Sequence, residues 1–224
     1  MQLALYDLGL VDFLHAWDFQ KHIAAKVEAG AIDCALVACQ HYPVITLGRQ
    51  AKRANILLSD AALKEKGIDV FVIERGGDVT YHGPGQITLY PILDLNHFKK
   101  DIHWYLRTLE EAVIDFLADF GVLAQRRAGL TGVWARDRKI ASIGIAIKRW
   151  VSFHGVSINI KDNDLAHFTF IRPCGMDVAM TSLETELKRN IEISDIKESM
   201  FSKIKDVFEV NSALSSDKAP ERAH

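Results

Sequence analysis

GVWARDRKIASIGIAIKRWVSFHGVSINI, residues 132–160 of the 224-residue chain, packs three strand-like pieces into direct succession. They are GVW (132–134), KIASIGIAI (139–147) and FHGVSINI (153–160), each rich in β-branched or apolar residues. No helix-length segment separates them, so they do not read as units of a regular βα alternation.

Upstream, QITLYPIL (86–93) alternates like a strand, with Pro91 pointing to an edge or a bulge. DVFVIE (69–74) and Leu3–Tyr6 add further strands, and CALVACQH (34–41) and VITL (44–47), separated by Tyr42-Pro43, read as two strands or one broken strand. The clearest helix is 102–120, where Tyr105, Leu109, Val113, Phe116 and Phe120 recur at helical spacing between an Asp101 cap and a Gly121 stop. Asp12 and Ser59 cap two earlier helices, ending near Glu28 and Gly67, and Ser194 caps a last one through Phe208. Strands cluster in the middle and helices lie toward both ends. The pattern predicts an α+β fold with a mixed central β-sheet and flanking helices, one domain over residues 1–210, and a polar, frayed tail over 211–224.

With 49% apolar and 25% charged residues, the chain has the composition of an ordinary globular protein. A net charge of −2 gives no electrostatic footprint for nucleic acid, and no basic amphipathic stretch marks a membrane surface. The opening MQLALYDLGLVDF lacks a basic n-region, so no signal peptide is expected and the cytoplasm is the expected compartment. Three cysteines, Cys34, Cys39 and Cys174, are too few and too irregular for a disulfide framework or a zinc site, so no metal is expected.

Four segments spend glycine, proline and reactive side chains where a plain fold has no need of them. RGGDVTYHGPGQ (75–86) is a glycine-rich segment that cannot form a regular helix; it reads as a binding loop whose glycines let backbone amides approach a ligand or, equally, as a tight pair of turns with His82 merely hydrogen-bonded. Its spacing fits neither of the familiar phosphate-binding glycine patterns. In RKIASIGIAIK (138–148), Lys139 opens an apolar strand and Gly144 sits inside it; a solvated strand end is the plainer reading of such a lysine. The pair His154-Gly155 in SFHGVSINI lines a pocket or makes a turn. In IRPCGM (171–176), Cys174 stands on a Pro/Gly-shaped loop, where a thiol is accessible, whereas Cys34 and Cys39 lie in an apolar run and belong to the core.

Taken in order, HYPVITLGR (41–49), RGGDVTYHGPGQ, KIASIGI, SFHGVSIN and PCGM resemble the octanoyl-[acyl-carrier-protein]–protein N-octanoyltransferases of lipoate biosynthesis, over about Leu8 to Phe208. The resemblance implies the fold shared by biotin protein ligases and lipoate–protein ligases. It implies Cys174 as acyl-thioester nucleophile with Lys139 as its partner. It also implies an acyl and pantetheine pocket lined by Arg75, Gly76, Gly77, Asp78, Val79, Thr80, Tyr81 and His82, by Ser142, Ile143 and Gly144, and by Gly155, Val156 and Ser157. The implied donor is octanoyl acyl carrier protein. The implied acceptors are lysines on lipoyl domains of 2-oxoacid dehydrogenase complexes and on glycine-cleavage H protein, with no cofactor. Glycines 76, 77, 144 and 155 are expected to keep side chains out of the acyl channel. Other readings are an ATP-dependent lipoate or biotin ligase on the same fold, a thioesterase using His82 or His154 as base, and a non-catalytic carrier-binding module.

Overall fold

A computed structural model describes residues 1–173 and 177–209, and the backbone of 211–214. In chain order the elements are β1 (Gln2–Val11), α1 (Phe13–Glu28), β2 (Cys34–His41), β3 (Val44–Leu47), α2 (Asp60–Glu65), β4 (Asp69–Val72), β5 (Val79–His82) and β6 (Gln86–Leu93). There follow α3 (Ile102–Asp119), β7 (Ala124–Gln125), β8 (Val133–Ala135), β9 (Arg138–Lys148), β10 (Val151–Asn159), α4 (Leu183–Leu187), α5 (Ile193–Val207) and β11 (Asn211–Leu214). Two of the four expected caps form: the Ser59 side chain accepts from the Ala62 amide, and Asp101 accepts from the Trp104 amide at 3.0 Å. Asp12 stands at the N-cap of α1 without a side-chain capping bond, and Ser194 lies inside α5, whose N-cap is Glu192.

Eight strands form one mixed sheet in the order β11-β1-β2-β6-β10-β9-β8-β7, and β3 lies between β4 and β5 in a second, three-stranded sheet. β1 is parallel to β2, with α1 as the crossover, and the remaining pairs from β2 to β7 are antiparallel. β9 and β10 form a hairpin through Arg149 and Trp150, both at positive φ (50° and 68°). A two-residue turn matched to strand twist requires that conformation.

β2 shows how the layers are made. Cys34, Leu36 and Ala38 face the core under α3 and α5, while Ala35, Val37 and Cys39 face the core under α1, the period-2 signature of a strand buried on both sides. α3 and α5 lend Leu109, Phe116, Ile196 and Met200 to the first core; α1 lends Ala16, Phe19 and Ile23 to the second. The fold is the predicted α+β architecture. No helix among the described residues is long and apolar enough to cross a membrane.

Two expectations need correction. β6 is not an edge strand: it runs centrally between β2 and β10, with Pro91 opposite Leu36. Proline is tolerated because the ladder to β10 stops at the Val156–Leu89 pair, before Pro91 is reached. Beyond that point the Ser152 hydroxyl donates to the Pro91 carbonyl at 2.9 Å and accepts from the Leu93 amide at 3.0 Å. The second correction concerns the tail. Its first residues, Asn211–Leu214, pair in parallel with Gln2–Leu5 of β1.

Candidate active site

A cavity of about 260 Å³ lies between the 75–82 segment and the face of the large sheet formed by β6, β9 and β10. From the first predicted segment Arg75, Gly77, Asp78, Val79, Thr80 and His82 border it. Gly76 and Tyr81 do not. Gly76 donates its amide to the Ile145 carbonyl at 2.8 Å, and Tyr81 faces the core of the small sheet. From β9 come Lys139, Ser142, Ile143 and Gly144, and from β10 Gly155, Val156 and Ser157. Cys174 lies outside the described residues, but Pro173 on one side, and Val178 and Met180 on the other, border the same cavity. Both flanks are tied down. The Arg172 amide donates to the Asn55 carbonyl at 2.8 Å, and Lys139 exchanges backbone bonds with Ala179 (2.8 Å) and Thr181 (2.9 Å).

Arg75 is buried, and its guanidinium is consumed by the fold. Nη2 donates to the Thr46 carbonyl at 2.7 Å and to Thr46 Oγ1 at 3.0 Å, and Nη1 donates to the Gly76 carbonyl at 3.0 Å. Burial pulls it down to about 10, so it stays charged at neutral pH. His82 is locked into a polar network. Gln86 Nε2 donates to the Tyr81 carbonyl at 3.2 Å. That fixes Gln86 Oε1 as the acceptor from His82 Nδ1 (3.3 Å) and from the Ser157 hydroxyl (2.5 Å). Burial, followed by the nearby His41 and Arg75, holds His82 well below the usual imidazole range, so it is neutral. His82 is therefore both cavity wall and hydrogen-bonded strut.

Behind the wall, His41 Nδ1 lies 3.2 Å from the Val11 carbonyl, which can only accept. The proton therefore sits on Nδ1, and Nε2 accepts from the Tyr90 hydroxyl at 2.6 Å. His154, at φ 56°, borders the cavity with its ring centroid 6.3 Å from that of Tyr90 and its Nε2 3.7 Å from Glu74 Oε2.

Gly144 and Gly155 make room for neighbouring parts of the fold, whereas a Cβ on Gly76 or Gly77 would meet nothing closer than 3.6 Å. Gly144 and Gly155 are direct partners across β9 and β10. A Cβ on Gly155 would meet Pro91 Cδ at 2.8 Å and the Leu89 carbonyl, so this glycine lets β10 press against β6. The space beside Gly144 is filled by Arg75. In the HGPG turn the room left by Gly83 and Gly85 is taken by the Asp164 carboxylate, which accepts the Gly85 amide at 2.5 Å.

Lys139 Nζ lies 5.2 Å from the centroid of the Trp134 ring, within cation–π range. Cys34 and Cys39 are buried in the core as expected. Burial and then Asp33 raise the Cys34 thiol to about 11, and burial drives Cys39 higher still, so neither supplies a thiolate near neutral pH. Several cavity residues escaped the sequence reading, among them Phe13, Ile73, Thr88, Tyr90, Trp134 and Phe168. They arrive from five separate segments, and only the topology brings them together. Among the described residues no group of three or more His, Cys, Asp or Glu side chains is gathered as a metal site needs.

The family model of the lipoyl protein ligase A/B catalytic domain matches residues 12–205. An octanoyltransferase of Cytophaga hutchinsonii is 41% identical over 225 residues, covering 92% of each chain. One of Gloeobacter violaceus is 47% identical over 180 residues, 80% of this chain and 78% of its own. Among solved structures, lipoate-protein ligase A bound with ATP gives a TM-score of 0.79 at 14% identity, over 96% of this chain and 89% of that one. Biotin protein ligase from Aquifex aeolicus in complex with biotin and ATP gives 0.56 at 9% identity, over 93% and 70%. At such identities these two likenesses concern the fold alone.

Proposed function

The chain belongs to the lipoyl protein ligase A/B catalytic-domain family and is an octanoyl-transferring enzyme of protein lipoylation; from that premise we propose that the octanoyl group passes through a thioester on Cys174. The donor is octanoyl acyl carrier protein. The acceptor is a lysine of a lipoyl domain or of glycine-cleavage H protein, and the reaction takes place in the cytoplasm. The observation that carries this reading is that Lys139 and Pro173, the residue before Cys174, border one largely apolar cavity.

In the first half the Cys174 thiolate attacks the octanoyl carbonyl. A new S–C bond forms, the bond to the carrier thiol breaks, and the departing thiolate takes a proton. A free cysteine at pKa ~8.5 is about 3% thiolate at pH 7. A lysine ammonium beside it that brings the pKa near 7 raises this to roughly half, for about 2 kcal/mol of differential interaction. Exchange of one thioester for another is nearly isoenergetic, so it runs without ATP. In the second half the acceptor amine forms the N–C bond as the Cys174–acyl bond breaks, and Lys139 in its neutral form takes the amine proton. One covalent intermediate lets two protein substrates use the cavity in turn.

The lining supports transfer over ATP-dependent ligation. Leaving histidines aside, the charged residues that border the cavity among those described are Arg75, Asp78 and Lys139, and Arg75 spends its donors on Thr46 and Gly76. A triphosphate finds little to hold it there. The deciding experiment is intact mass after mixing with octanoyl acyl carrier protein in the absence of nucleotide. The expected result is one octanoyl adduct, released by hydroxylamine, mapped to Cys174 and missing in Cys174→Ala. An adduct on Cys34 or Cys39, or an absolute need for ATP, overturns the proposal.

A further inference from the structure

Glu110 of α3 has no solvent exposure, yet it is a carboxylate. Its Oε2 accepts from Arg107 Nη1 at 2.5 Å and from Arg126 Nε at 3.1 Å, and its Oε1 accepts from the backbone amide of Gly132 at 3.1 Å. Gly132 sits at φ 135°, a conformation side-chain-bearing residues rarely adopt, and it lies directly over the Lys139 side chain. A Cβ there would come within 2.6 Å of both the Ala141 carbonyl oxygen and Lys139 Cε, and within 3.2 Å of Nζ. The three residues before it, Gly129, Leu130 and Thr131, border the cavity.

We propose that Glu110 is a positioning residue for Lys139. Clamped by two arginines, it fixes the Gly132 amide, and the 129–132 segment then walls the lysine against Trp134 and holds Nζ at the cavity. This inference rests on the role given to Lys139 above. An alternative assigns Glu110 to charge pairing alone, as an anchor for Arg107 and Arg126.

Two substitutions separate the alternatives. Glu110→Asp keeps the charge but withdraws the acceptor from Gly132 by one methylene. Glu110→Gln keeps the acceptor and loses the charge. The measurement is the rate of octanoyl-enzyme formation from octanoyl acyl carrier protein, taken alone and in a Lys139→Ala background, with melting temperatures alongside. Positioning predicts that Glu110→Asp slows acylation about tenfold, that Glu110→Gln loses less, and that the Asp effect disappears once Lys139 is gone. Wild-type acylation in Glu110→Asp overturns the proposal, and so does a loss that persists undiminished without Lys139. Should Glu110→Asp not fold, Arg126→Ala, which removes one arm of the clamp on Glu110 Oε2, carries the test instead, with the same Lys139 dependence required. Wild-type acylation by Lys139→Ala alone instead refutes the role of the lysine itself.

Discussion

Arg75 occupies the space that Gly144 leaves open: a methyl on Gly144 would stand 2.8 Å from Arg75 Cδ and 3.2 Å from the Gly76 carbonyl oxygen. A glycine inside an apolar strand invites the idea of a channel kept clear for an acyl chain. Here its first neighbour is another part of the protein.

Gly144→Ala should therefore push Arg75 off Thr46 and loosen the 75–82 wall. Overpacking of this kind costs about 1–3 kcal/mol. Acylation should fall for six-, eight- and ten-carbon donors together, with little change in their order. A folded Gly144→Ala variant that switches to shorter chains would show instead that the methyl reaches the acyl chain.

The core thiols should be silent. Cys34, raised to about 11, and Cys39, raised further, are both buried, so alkylation of the native protein near pH 7.5 should label one thiol per chain, Cys174. Denaturation should bring the count to three. Labelling of Cys34 or Cys39 at a rate comparable with Cys174 would contradict their placement.

Acid should destabilise the fold through its buried imidazoles. Burial, opposed by the Val11 carbonyl and Asp12, lowers His41 to about 4, and burial lowers His82 and His154 as well. The unfolded chain binds these protons near pH 6.5 and the folded one does not, so stability is whole above that pH and declines as pH falls toward 4. His41 alone accounts for about 3 kcal/mol across that window. His41→Gln, which keeps an acceptor for the Tyr90 hydroxyl, should flatten the acid limb of unfolding free energy against pH. An unchanged slope would move the effect to other groups.

Asp164 should matter out of proportion to its distance from the cavity residues named by sequence. It is buried, accepts the Gly85 amide at 2.5 Å and sits beside the Tyr81 hydroxyl at 3.5 Å. Asp164→Ala strands that amide without an acceptor, a loss of about 1–3 kcal/mol. In a chain this size each kcal/mol lowers the melting temperature by about 2–4 °C. A melting temperature equal to wild type would mean that water replaces the carboxylate.

These cases show where sequence is legible and where it stops. Caps at Ser59 and Asp101 are local, so they can be read from neighbouring residues alone. The segments 75–82, 142–144 and 155–157 announce themselves by glycine or histidine beside strand-like apolar residues, and they do converge on the cavity apart from Gly76 and Tyr81. What each glycine makes room for is another matter. Arg75 beside Gly144, Leu89 beneath Gly155 and Asp164 beneath Gly85 come from remote parts of the chain, and no local pattern names them. Pro91 misleads for the same reason. A proline argues for an edge until it is known that Ser152 takes over where the ladder ends. Phe13 and Tyr90 read as ordinary core residues, because an apolar stripe looks alike whether it faces a helix or a cavity.

The central place of β6 carries a kinetic consequence. Toward β2 it joins His41 to Tyr90, 49 positions apart, and toward β10 it joins residues 69 and 71 apart. Each such meeting closes a long loop before it yields any enthalpy, and topologies dominated by them fold slowly. The strand that supplies Thr88 and Tyr90 to the cavity is thus the one that must wait for both halves of the chain. A nascent chain released at residue 150 has β6 and β2 but lacks β10, so it presents one flank of a hydrophobic strand to anything nearby. Assembly of the cavity and escape from aggregation become the same event, timed by the emergence of residues 151–159.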